Sequence, residues 1–155
     1  MKQLLEYRSK LIYRLEAATD EFRSACLASQ DPHRITDEDS WNIHQLAVHT
    51  RDTEKLVYGP RIRRTVEEDN PVFENFDADE RMTATYDPDK PLASILDELS
   101  ASVTKTVSLL RELPPEAWSR TSSHEIYGGG FTLQTWVERG LAHIQEHLDT
   151  VNKVN

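Results

Sequence analysis

An all-α four-helix bundle is the fold class this sequence predicts. Four long segments carry apolar residues at helical spacing, and no segment alternates in the manner of a strand. Glycine is scarce, with five in 155 residues. Four amphipathic helices with one stripe each bury those stripes against one another, which is the logic of a bundle.

The first helical segment runs from about Lys2 to Ser29. Leu4, Leu11, Leu15, Ala18, Phe22 and Ala25 fall on one face. Gln30, Asp31 and Pro32 then stop it. The second begins at Asn42, a good N-cap. Gln45 takes the capping-box position, and Trp41 and Leu46 take the positions of a hydrophobic staple. It continues through Leu46, Thr50, Thr53 and Val57 toward Glu68. Gly59 and Pro60 fall inside it and should kink it or loosen one turn, because proline removes a hydrogen bond and crowds the preceding turn.

The third segment starts near Pro91, with Leu92, Ile95, Leu99, Val103, Thr106, Leu110 and Leu113 as its stripe, and stops at Pro114 and Pro115. The fourth starts near Thr132 and runs to the end of the chain. Its inner face is Leu133, Trp136, Gly140, His143, His147 and Val151. Residues 70–90 form a linker with Pro71, Pro88 and many acids. A helix of about 25 residues is about 38 Å long. The linker can span more than that when extended, so it allows the second and third helices to run parallel. Asp77 to Arg81 is expected to make a helical turn on the way. Gly128, Gly129 and Gly130 read as a flexible lead into the last helix. No repeat and no domain boundary is visible, so residues 1–155 are read as one domain.

Composition narrows the function. Hydrophobic residues make up 37% and charged residues 29%, which fits a folded globular chain. The formal charge of −9 argues against a nucleic-acid or anionic-membrane partner, since both call for a basic surface. No apolar run approaches a membrane span, and the first residues read as an amphipathic helix and not as a signal peptide. The single cysteine, Cys26, excludes an internal disulfide, suits a cytoplasmic setting and is expected in the core of the first helix.

Three histidines carry the chemistry. His143 and His147 lie four apart, so both imidazoles leave one face of the last helix. A pair at that spacing can hold one metal ion from two sides or can be two satisfied core histidines. His49, on a face of the second helix that overlaps its apolar stripe, is the candidate third ligand. His44 lies about 140° around that helix from His49 and is expected to be exposed. His33 is expected to be solvated. His124 either borders the site or caps a loop. Asp52 and Glu54 could orient His49 or act as ordinary helix acids beside Lys55 and Tyr58. Arg61, Arg63 and Arg64 read as a solvated face or as a grip for a carboxylate. Glu146 is either a base or a solvent-facing acid. With His143 and His147 it also fits the H-x-x-E-H pattern of inverted zinc proteases, which are far larger proteins of another fold.

At these residues the chain resembles the DinB/YfiT-like family. Trp41, Asn42, Gln45, His49, Asp52 and Glu54 resemble its second-helix signature. Asp69, Asn70, Pro71, Phe76, Asp77 and Glu80 resemble the segment that follows. His124, Glu125, Thr132 and Leu133 resemble its entry to the last helix, and His143 with His147 its closing motif. The resemblance implies up-down-down-up connectivity and a divalent metal held by His49, His143 and His147. Zinc or nickel suits such an imidazole set. It further implies a metal-dependent enzyme acting on a small molecule, foremost a thiol-dependent S-transferase using a low-molecular-weight thiol such as bacillithiol or mycothiol. The alternatives are a metal-dependent hydrolase and a non-catalytic metal-binding stress protein. Relatives of this kind pair through their helices, so a homodimer is expected.

Overall fold

In a computed structural model, which describes residues 1–37 and 40–155, the chain is mostly helical. The long helices are α1 (Lys2–Leu27), α2 (Ile43–Thr53), α3 (Gly59–Glu67), α5 (Leu92–Glu112) and α6 (Leu133–Val154), with the short α4 (Ala78–Thr85) between α3 and α5. Their stripes meet in one core. Leu11, Leu15 and Phe22 of α1, Ile95, Leu99 and Val103 of α5, and Trp136, Ile144 and Val151 of α6 are all buried there. Leu4, expected on the first stripe, is exposed instead, because the stripe has wound past the core edge by that turn. None of the described helices is long and apolar enough to cross a membrane.

Cross-helix contacts give the directions. His44 meets Lys90, Arg51 meets Glu98, and Gly59 lies against Thr106, so α2–α3 and α5 run side by side in the same direction. Arg8 bonds Gln134, and Asn155 bonds the Ala25 carbonyl, so α1 and α6 are also parallel. Arg23 pairs with Asp97 and Arg111 with Glu16, which sets α1 against α5 antiparallel.

Three features correct the expectation of a plain four-helix, all-α bundle. First, the second helical segment is not continuous. A π-helical turn, Glu54–Tyr58, joins α2 to α3. Pro60 has no N–H to give, and the Gly59 N–H reaches the Glu54 carbonyl five residues back. A Cβ at Gly59 would stand 2.8 Å from that carbonyl oxygen, so the widened turn depends on glycine there.

Second, a three-stranded sheet closes one end of the bundle: β1 (Val72–Phe73), β2 (Thr121–His124) and β3 (Gly128–Thr132), in the order β1-β2-β3. β1 runs parallel to β2, with Val72 opposite Ser123 and Phe73 opposite His124, and β2 is antiparallel to β3. The three glycines are therefore strand residues, and Gly128 and Gly130 hold positive φ of 85° and 87°. Trp136 fixes the sheet to α6: its Nε1–H donates to Ser122 Oγ at 2.8 Å, and that hydroxyl donates to the Phe131 carbonyl at 2.9 Å. Third, the turn expected near Asp77 extends into the whole of α4, capped by the Asp77 side chain on the Glu80 N–H.

The start of α2 follows the sequence closely. Asn42 accepts from the Gln45 N–H, and the Gln45 side chain accepts from the Asn42 N–H, a complete capping box. This fixes where the helix begins, and hence which way His49, two turns on, faces.

Candidate metal centre

α2 presents His49 toward α6, and α6 presents His143 and His147 one turn apart. The three imidazoles converge although His49 and His143 are 94 residues apart in sequence. His143 Nε2 lies 3.0 Å from His49 Nε2 and 3.0 Å from His147 Nε2. The ligand atoms of all three lie within 4.8 Å of one another. Their rings meet edge to face, with centroids 4.3 to 4.9 Å apart.

Each ring is half-buried and held neutral. Burial, with the neighbouring His147 adding, pushes His49 down to about 4, against the opposing charge of Asp52. Burial and the two neighbouring imidazoles push His143 down to about 3. Burial lowers His147 as well, opposed by the Glu146 carboxylate. Thr53 supports the arrangement. Its hydroxyl donates to the His49 carbonyl at 2.8 Å and leaves its oxygen 3.5 Å from His49 Nδ1. An Nδ1–H aimed at that oxygen leaves the Nε2 lone pair facing the other two rings. Trp41 walls the cluster on one side, 4.7 Å from the His49 ring, and Tyr58 on the other, 5.7 Å from the His143 ring.

A divalent ion fits this donor set. Nitrogens sharing one ion at about 2.0–2.1 Å lie no more than about 4 Å apart, and the two 3.0 Å spacings meet that limit. One neutral nitrogen offers either one N–H or one lone pair, so His143 Nε2 cannot hydrogen-bond well to both neighbours at once. Three clustered imidazole nitrogens, all within 4.8 Å of one another, suit a shared cation instead.

The remaining sequence candidates fall elsewhere. His44 is buried, not exposed: Nε2 donates to the Lys90 carbonyl at 2.8 Å and Nδ1 accepts from the Tyr86 hydroxyl at 2.7 Å. It fastens the linker to α2 and stacks on His33, with centroids 4.4 Å apart. His33 is itself exposed and donates to the Pro88 carbonyl at 3.0 Å. His124 caps the β2–β3 turn, where its Nδ1 accepts from the Ile126 and Tyr127 N–H groups.

Asp52 is buried and does not touch the His49 ring. It accepts from Arg51 at 2.9 Å and lies 3.5 Å from Arg81, which ties α4 onto α2. Glu54 is buried, and neither carboxyl oxygen has a partner among the described residues. Glu146 is exposed, and with Trp41, Asp79 and Thr150 it lines a 320 Å³ cavity that reaches His147. Cys26 lies in the core as expected, where burial pushes its thiol up to about 12. Thr53 and Tyr58 had no functional signal in the sequence: one reads as a stripe residue and the other as a neighbour for helix acids.

Fold and site together define a helical bundle with a three-histidine cluster capable of chelating a divalent ion. The chain belongs to the DinB superfamily, whose family model matches residues 3–151. Among solved structures it is similar to YfiT from Bacillus subtilis, described as "a probable metal-dependent hydrolase with an unusual four-helix bundle topology". The two superpose with a TM-score of 0.87 at 18% identity, over 96% of this chain and 85% of that one, a likeness of fold. No curated protein sequence matches.

Proposed function

We propose that this chain is a metal-dependent hydrolase of small molecules, with one divalent ion held by Nε2 of His49, His143 and His147. The observation that carries the reading is the convergence of three neutral imidazoles from two helices. Zinc or nickel suits the all-nitrogen donor set. The up-down-down-up path supported by the helix directions, in one domain, keeps α2 and α6 adjacent and so keeps the cluster together. A divalent ion there would supply Lewis acidity and make water a competent nucleophile near neutral pH.

The surrounding residues supply shape and orientation. Thr53 holds the His49 tautomer, and Trp41 and Tyr58 wall the cluster on two sides. The Tyr58 phenol, raised above its ordinary range by burial, stays protonated and can donate a hydrogen bond. Glu146, at the cavity by His147, is placed to take a proton at the open side. Hydrolysis moves ahead of the thiol-dependent transfer expected from the sequence. The description of YfiT as a probable metal-dependent hydrolase supports it. A cytoplasmic homodimer remains part of the proposal.

The test is metal content and ester hydrolysis on the zinc-loaded protein. Wild type should carry about one ion per chain and cleave p-nitrophenyl acetate. His49→Ala, His143→Ala and His147→Ala should each lose both properties. Folded protein that takes up no metal, or hydrolysis that survives all three substitutions, overturns the reading. Turnover that appears only with added cysteine, glutathione, bacillithiol or mycothiol restores the transferase instead.

A further inference from the structure

Two arginines lie beside the cluster. Arg23, Arg51, Arg64, Arg81 and Arg111 each hold an acid. Arg61 and Arg139 form no ion pair among the described residues, although both lie next to Tyr58 and α6. Arg139 precedes His143 by one helical turn, and Arg61 follows Tyr58 by one turn on α3.

Aromatic faces and a backbone carbonyl hold these guanidiniums, so their charges stay unneutralised. Arg61 lies over the Trp136 ring at 4.8 Å and over Phe73 at 5.7 Å, and its Nη2 donates to the Glu74 carbonyl at 3.0 Å. Arg139 lies over Phe131 at 5.2 Å, and Phe131 stacks on Trp136 at 4.8 Å. One aromatic platform therefore carries both cations. Tyr58 packs directly on Gly140, where a Cβ would come within 3.4 Å of its ring, and this close approach brings the phenol to α6.

We propose that Arg61 and Arg139, with the Tyr58 hydroxyl, form an anion-binding subsite that holds a carboxylate or phosphate group of the substrate about one helical turn from the three-histidine cluster. As the place of a substrate group this rests on the hydrolase reading; as an anion site it stands alone. The fields agree with the geometry. The Tyr58 phenol, raised by burial, feels both guanidinium charges pulling it back and the Glu54 and Glu146 carboxylates pushing it up, and both guanidiniums, against Glu125, help to keep His124 neutral after burial. Burial lowers the Arg61 guanidinium, and the like charge of Arg139 adds to that, which an anion between them would relieve. The opposite pole of the site is acidic: Asp79 and Glu146 line the cavity at His147. A substrate with an anionic end is thus oriented, with that end toward β1 and β3 and its reacting centre at the histidines.

The test titrates the zinc-loaded full-length protein with succinate and, separately, with inorganic phosphate. Binding is read by calorimetry and by the Nε–Hε NMR signals of Arg61 and Arg139. Both signals should shift on saturation, and the tighter probe identifies the anion. Arg61→Met and Arg139→Met should each weaken binding at least tenfold, whereas Arg111→Met, which breaks the pair with Glu16 between α5 and α1, should stay within twofold. Arg139 is exposed, so its variant keeps the test open if Arg61→Met unfolds. Unchanged affinity in the double variant, or silent arginine signals, puts the anion on the metal and overturns the proposal. Failure of the hydrolase reading would look different: no turnover, with arginine-dependent anion binding intact.

Discussion

Glu54 should make this protein lose stability as the pH rises from mildly acidic to neutral. The residue is 2% exposed, and neither carboxyl oxygen has a hydrogen-bond partner among the described residues. Burial alone pushes its pKa from 4.5 to about 7. The folded value lies above the unfolded one. Below the unfolded value both states are protonated and the group is neutral to stability. As pH rises the unfolded chain ionises first, and folding then opposes ionisation until the folded value is passed. A shift of this size corresponds to about 3 kcal/mol, spread across the interval between the two values.

Glu54→Gln removes the titration and keeps the shape. Urea denaturation of wild type and variant at equal metal content, from about pH 5.5 to about pH 8, isolates the effect. The variant's advantage should widen by about 2 kcal/mol over that range. Contributions from the histidines cancel in the difference. A difference that stays flat with pH would mean that Glu54 ionises freely in the folded protein, and the reasoning from its burial would be wrong.

Other outcomes follow from single contacts. His44→Ala should cost about 2–3 kcal/mol by stranding the Tyr86 hydroxyl and the Lys90 carbonyl, yet keep full metal content, as chemical denaturation and metal analysis would check. Gly59→Ala should cost about 1–3 kcal/mol because its Cβ would press on the Glu54 carbonyl, and a melting temperature equal to wild type would rule out the π-turn's dependence on glycine. Cys26 should react with a disulfide reagent at mildly alkaline pH only as fast as the protein opens, since its buried thiol sits at about 12; prompt reaction of the native protein would contradict this.

Periodicity and capping chemistry made the long helices legible. The Asn42–Gln45 box fixed the start of α2, and the stripe of α5 read true from Ile95 to Leu110. The histidine pair was legible because four residues make one turn, but the third partner needed the family resemblance. The sheet was hidden because its strands are two to five residues long and the buried positions of β2 are polar, Ser122 and His124. His44 was misjudged because angle around α2 says nothing of the linker folding over that face. Gly59 and Pro60 marked a disturbance in the helix, but not its form, since a kink and a widened turn relieve the same clash.

The parallel pairing of α1 with α6 bears on how the chain is made. Arg8 waits for Gln134, and Ala25 for Asn155. About a hundred residues separate the end of one helix from the start of the other, so a ribosome working at about 5–20 residues per second leaves α1 without α6 for roughly 5–20 s. Through that interval α1 can shelter mainly against α5, once α5 has emerged, and to a lesser extent against α2. The nascent chain thus carries a half-covered helix while its last partner is still being synthesised. Closure of the bundle waits for α6, and the histidine cluster is assembled in that same late step.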